Sequence, residues 1–240
     1  MTEPPLRARF LRSAPVLTAR TAAFAALRPV YRRAFDGLGT PAQLRRAVRF
    51  AVPGGTHQVA EEIEGFMAYA AARRPRRVCE IGVADGGTTV LLSRMSPTVE
   101  VMIGIDLRIA HRRILEGLAP AHQRLHLLEA SSLEDTTVAR ARELLGGEPL
   151  DLLFIDGSHT YDDALSDFEQ YRGLVRPGGL IAFHDIVPDY GERFGRPTPY
   201  WSGGVPRLWS ELRERHPHRE FVRDPEQDAF GIGVLEYEPG

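Results

Sequence analysis

Lysine is absent from the 240 residues, so all 30 basic side chains are arginine. This excludes a Schiff-base lysine and a Walker-type phosphate lysine, and with them two large enzyme classes. Cysteine occurs once, at Cys79. That rules out an intramolecular disulfide and a CxxC metal site, and fits a reducing, cytoplasmic setting. No apolar run approaches the roughly 18 to 20 residues of a membrane span. Excess charge is missing too: a formal net charge of −2 offers no general footprint for nucleic acid. What remains is the composition of a globular protein, long enough for one domain and a small appendage.

The first 55 residues read as that appendage. The first 40 of them are rich in Ala and Arg, with Arg7, Arg9, Arg12, Arg20, Arg28, Arg32 and Arg33 against Glu3 and Asp36. Such a segment can serve targeting, a membrane surface or subunit contact, and its simplest reading is helices packed on the domain or on a neighbouring subunit. Gly37, Gly39, Pro41, Pro53, Gly54 and Gly55 mark the approach to the main domain, residues 56–240. There Val59, Ile63, Phe66, Met67 and Ala70 have helical spacing and predict a helix from about Thr56 against a sheet. His57, Gln58 and Glu61, in its first turns, either reach a ligand cleft or cap the helix.

Leu152-Leu153-Phe154-Ile155 is a continuous apolar run ending at Asp156, as expected of a strand buried on both faces. A helix predicted from about Tyr161 to Gly173 stops at Pro177-Gly178-Gly179, and a second run, Leu180-Ile181-Ala182-Phe183, ends at His184-Asp185. Strand, crossover helix and strand make a βαβ unit with parallel strands. Asp156, His159, His184 and Asp185 should then meet at the carboxyl edge, where open α/β sheets bind ligands. Asp156 and Asp185 could instead be turn residues that each cap the next element of the chain, although two acids and two histidines on consecutive strand ends fit that reading less well.

A second stretch, Glu80-Ile81-Gly82-Val83-Ala84-Asp85-Gly86-Gly87, runs from a strand through a glycine-rich turn into a helix, and lets backbone approach a ligand closely. The spacing GxxxGG departs from the dehydrogenase GxGxxG. The next strand ends at Asp106, where an acid suits ribose hydroxyls or caps the helix after it.

These residues resemble the class I S-adenosyl-L-methionine-dependent methyltransferases. Glu80 to Gly87 is similar to their first motif, Gly104-Ile105-Asp106 to their ribose-binding strand end, and Leu125 to Ser132 to the third strand and the turn beside adenine. Ala130-Ser131-Ser132 stands where many relatives carry Gly-Asp-Ser. The closing segments Phe221-Val222 and Phe230 to Tyr237 resemble the hairpin that ends a methyltransferase sheet. The resemblance implies an α/β, doubly wound, Rossmann-like seven-stranded sheet, mostly parallel with a C-terminal antiparallel strand. It also implies a cofactor site of Glu80, Gly82, Gly86, Asp106, Ser131, Ser132 and Asp156.

Ile155 to Tyr161 with Phe183-His184-Asp185 is similar to a narrower branch: the metal-dependent macrolide-sugar O-methyltransferases of the macrocin and mycinamicin type, with cephalosporin-hydroxylase-like relatives. There, an aspartate after the fourth strand and an acidic pair after the fifth bind a divalent cation, and a histidine three residues past the first aspartate is the general base. Asp156, Asp185 and His159 match those positions. His184 replaces an acid, and binds the metal directly, stands behind a ligand or takes part in proton transfer. Such a cation would stabilise a developing alkoxide, and oxygen ligands favour Mg2+ or Mn2+, with a histidine ligand tilting the choice towards Mn2+.

Pro188 to Pro206 is long for a connection in a compact domain and reads as a lid or acceptor wall, with Gly203-Gly204 as a hinge. Its Tyr200 and Trp201 either stack on a substrate or pack the loop down. The expectation is therefore a metal-dependent O-methyltransferase acting on a small or glycosylated hydroxyl acceptor, a sugar of a natural product or glycolipid. A phenol or catechol acceptor, and a non-catalytic accessory subunit of an oxygenase, are the alternatives. The resemblance further implies a homo-oligomer, with the arginine-rich N-terminus as the candidate for subunit contact or for covering the acceptor cleft.

Overall fold

A computed structural model describes residue 30 and residues 32–238. The expectations placed on Arg7, Arg9, Arg12, Arg20 and Arg28 lie outside the described residues. Seven strands form one sheet: β1 (Arg77–Ile81), β2 (Val101–Asp106), β3 (Arg124–Glu129), β4 (Leu150–Ile155), β5 (Val175–His184), β6 (His218–Phe221) and β7 (Ile232–Tyr237). Their order is β3-β2-β1-β4-β5-β7-β6. The first five are parallel, and β7 runs against both β5 and β6. This is the doubly wound sheet expected, and the reversal of strand order beside β1 opens a crevice at the carboxyl edge.

Side chains alternate across the sheet. Leu152 and Phe154 join a core with Phe66, Met102 and Leu180 on one face, while Leu153 and Ile155 join Tyr171, Phe183 and Trp209 on the other. Both faces are covered by helices, which is why β4 reads as an unbroken apolar run. Each such side chain contributes about 1.5–3 kcal/mol by leaving water.

Among the described residues, 32–36 are helical, and the helices that follow are α1 (Pro41–Ala51), α2 (Ala60–Ala71), α3 (Gly87–Arg94), α4 (Arg112–Leu118), α5 (Asp135–Leu145), α6 (Tyr161–Arg172), α7 (Tyr190–Phe194) and α8 (Val205–Arg213). Thr40 and Gln43 form a capping box on α1, and the Thr160 hydroxyl accepts the Asp163 amide to start α6. Among the described residues, no helix is long and apolar enough to cross a membrane.

At the end of the N-terminal segment, Phe35, Leu44, Val48, Ala51 and Val52 share the core of Val90, Leu91 and Leu92, because the apolar face of α1 packs on α3. Two boundaries differ from expectation. The helix expected from Thr56 starts at Ala60, which frees Thr56 to Val59 for the crevice. Pro177-Gly178-Gly179 does not precede the fifth strand but lies within it, where the ladder to β4 shifts register between Leu150 and Leu152. An irregular ladder tolerates Pro and Gly that a regular one would not.

Candidate active site

The register sets the centre of the site. Ile155 on β4 pairs with Phe183 on β5, so the next residues, Asp156 and His184, stand side by side at the carboxyl edge of the sheet. His184 Nδ1 lies 3.1 Å from Asp156 Oδ1 and 3.2 Å from Asp185 Oδ2. Ligand atoms of Asp156, His184 and Asp185 all fall within 4.8 Å of one another. His184 Nε2 is buried and unpartnered, so the polar contacts of the ring all lie on the side of the acids.

Burial opposes charge on His184, but Asp156 and Asp185 outweigh it and raise its pKa. Burial likewise opposes ionisation of Asp185, yet His184, His159 and the Phe230 amide hold its pKa below the ordinary value. Asp185 adopts a left-handed φ of 60°, a strained conformation for a non-glycine residue that its surroundings must enforce. The Phe230 amide donates to Asp185 Oδ1 at 3.0 Å. On the opposite side Gln58 Nε2 donates to Asp156 Oδ2 at 2.9 Å. Of the two readings open for Gln58, the cleft is the one observed.

His159 stands beside the triad. Its Nε2 is 3.4 Å from Asp185 Oδ2, its Nδ1 is 2.6 Å from the Trp201 carbonyl, and its ring stacks on Trp201 with centroids 5.6 Å apart. Tyr200 packs edge-on against Phe230 at 4.8 Å. Tyr200 and Trp201 remain 45% and 62% exposed, so each keeps an open surface. All of these residues border a cavity of about 990 Å³, which continues past Gly82, Asp106, Ser131 and Ser132. That volume suits a cofactor together with part of an acceptor.

The cofactor side holds some surprises. Gly82 has φ 96°, and a Cβ there would overlap the Asp156 carbonyl, so the turn after β1 must be glycine to lie against the end of β4. Asp106 accepts the Ala84 amide at 2.7 Å and the Arg108 amide at 2.9 Å, fastening the glycine turn to β2 while still bordering the cavity. Glu80 and Gly86 do not border it. Glu80 is fully buried beneath the turn and accepts the Thr89 hydroxyl, and burial pushes its pKa up to about 8. Gly86 caps α3 in a left-handed conformation.

Other residues were missed in the sequence. Asp167, inside α6, is buried yet borders the cavity near Ser132, and burial raises its pKa to about 6. Glu62 on α2 is buried and accepts from the Arg223 amide, the Gln227 side chain and the Gly231 amide. It thereby pins the loop that carries Phe230. Helical spacing gave Glu62 no distinction from a surface acid, so no sequence signal marked it. His111 lies 3.6 Å from Asp85, which also faces His57 at 3.4 Å. These two histidines, His111 foremost, hold Asp85 below the ordinary carboxylate range.

The expected lid is pinned. Ser202 is buried and exchanges hydrogen bonds with Asp189: the Asp189 amide donates to its hydroxyl, and its own amide donates to the Asp189 carboxylate. Gly203 and Gly204, expected as a hinge, are points of close packing on His159 and Tyr161.

Residues 79–186 match the family described as a methyltransferase domain. The matched span, a little under half of the chain, runs from β1 through β5 and contains Asp156, His159, His184 and Asp185. Two curated relatives are similar to the chain, and both are described as uncharacterized. One is y4gI of Sinorhizobium fredii, 26% identical over 171 residues (67% of this chain, 17% of the relative). The other is R132 of Acanthamoeba polyphaga mimivirus, 31% identical over 114 residues (44% and 49%). The matches thus span less than half the length of these relatives.

Solved structures share this fold. The O-methyltransferase TomG from Streptomyces achromogenes, involved in tomaymycin synthesis and bound to S-adenosyl-L-methionine, has a TM-score of 0.55 at 20% identity, covering 82% of this chain and 88% of that one. The methyltransferase MycE of the mycinamycin pathway, bound to Mg, S-adenosylhomocysteine and mycinamycin VI, has a TM-score of 0.55 at 18% identity, covering 83% and 54%.

Proposed function

We propose that this chain moves a methyl group from S-adenosyl-L-methionine to a hydroxyl, on a sugar of a natural product or glycolipid, with the help of a divalent cation. The observation that carries this reading is the convergence of Asp156, His184 and Asp185 beside His159, in the cavity that also reaches the glycine turn. Two carboxylates and an imidazole suit Mg2+ or Mn2+, and the imidazole favours the latter. The cofactor supplies a methyl already activated on a sulfonium, and the cation supplies charge that favours an ionised hydroxyl.

The remaining work falls to the chain itself. Gly82, Asp106, Ser131 and Ser132 would hold the cofactor, with the turn kept in place by the Ala84 amide bond to Asp106. An aliphatic hydroxyl holds its proton too tightly for a neutral histidine to remove unaided, so the acid pair and His159 must act on the same oxygen. His159 Nε2 faces that position and would take the proton. Trp201 and Tyr200 form the acceptor wall, where aromatic faces can cover the apolar side of a sugar and exclude water.

Methyl transfer from labelled S-adenosyl-L-methionine to a panel of glycosylated acceptors and catechols, with and without chelator, tests the reading. Transfer to a glycoside that stops with chelator and returns with Mg2+ or Mn2+ supports it. Binding of cofactor with no acceptor methylated under any condition overturns it.

A further inference from the structure

We infer that the main chain of residues 199–204 sets the tautomer and orientation of His159, with Gly203 as the positioning residue. This deepens the proposed function and rests on the proton-accepting role given there to His159. A backbone carbonyl only accepts hydrogen bonds, so the 2.6 Å contact between His159 Nδ1 and the Trp201 carbonyl places a hydrogen on Nδ1. The neutral ring then carries its lone pair on Nε2, the nitrogen 3.4 Å from Asp185 Oδ2. The free nitrogen therefore faces the acid pair, where the acceptor hydroxyl must be deprotonated. The opposite tautomer would present an N–H there and could take no proton.

The same segment grips the His159 backbone. The Gly204 amide donates to the His159 carbonyl at 2.7 Å, so residue 159 is held through both its ring and its carbonyl. Gly203 makes this possible: its φ is 59°, and a Cβ would overlap the His159 carbonyl oxygen. The buried Ser202, bonded to Asp189, anchors the segment from behind. The base is thus completed by a loop more than 40 residues distant in sequence, and the loop acts through its backbone.

The test uses the full chain with 15N-labelled histidine, S-adenosylhomocysteine and Mg2+, with nitrogen protonation read from long-range 1H–15N spectra at pH 8. The wild-type His159 should show a protonated Nδ1 and a bare Nε2. Gly203→Ala should lose that signature and lower kcat by about 10- to 100-fold, while acceptor KM and cofactor affinity change far less. Trp201→Ala keeps its backbone carbonyl and should keep the tautomer, with its effect falling on acceptor KM. A wild-type His159 protonated on Nε2, or a folded Gly203→Ala with unchanged His159 resonances, overturns the inference. If Gly203→Ala fails to fold, the wild-type and Trp201→Ala spectra decide it. His159→Ala with undiminished turnover would remove the base assignment, while the tautomer spectra would still judge the positioning.

Discussion

Asp156 Oδ1 and His184 Nδ1 stand 3.1 Å apart on the ends of neighbouring parallel strands, with a second carboxylate, that of Asp185, 3.2 Å from the same nitrogen. A divalent cation at this point would be held by two carboxylates and an imidazole. Asp156→Asn and Asp185→Asn should therefore each weaken Mn2+ binding at least 10-fold in calorimetry, and each should lower methyl transfer in parallel. Affinity unchanged in both variants would remove the metal site.

His159→Ala separates binding from chemistry. His159 borders the acid pair, so S-adenosylhomocysteine should bind with wild-type affinity while kcat falls by roughly 10²- to 10⁴-fold, the usual contribution of a positioned base. Equilibrium binding and initial rates on the same preparation check this.

Glu80 makes stability depend on pH. Its pKa rises from the ordinary 4.5 to about 8 in the folded protein, so between those values the folded state holds a proton that the unfolded state has lost. The destabilisation is absent below pH 4.5, grows as pH rises, and is complete above about 8, reaching on the order of 5 kcal/mol. Glu80→Gln, neutral throughout, should gain stability relative to wild type as pH goes from 5 to 9. Denaturant unfolding of both proteins across that range reads the difference, and parallel curves would contradict it.

Glu62 supports the site from a distance. Glu62→Ala leaves the Arg223 and Gly231 amides and the Gln227 side chain without their buried acceptor, at a cost on the order of 3 kcal/mol. Because Gly231 adjoins Phe230, whose amide holds Asp185, metal affinity should fall together with melting temperature. A drop in stability alone would confine Glu62 to a structural role.

Much of this was legible along the chain. Apolar runs ending in Asp156 and in His184-Asp185 revealed parallel strands, because a strand buried on both faces cannot alternate, and its first polar residue marks the sheet edge. The glycine turn was legible because only glycine accepts the φ of residue 82 beside the Asp156 carbonyl. What the tertiary structure alone decided was which distant backbone and side-chain groups complete the site: Gln58 on Asp156, the Trp201 carbonyl on His159, and Glu62 beneath the loop of Phe230. It also placed Glu80 beneath the glycine turn, bonded to Thr89, and packed Phe35 to Val52 against α3. Periodicity reports how each segment meets the sheet next to it. A hydrogen bond between residues 98 or 165 positions apart depends on how whole elements dock, and leaves no local pattern to read.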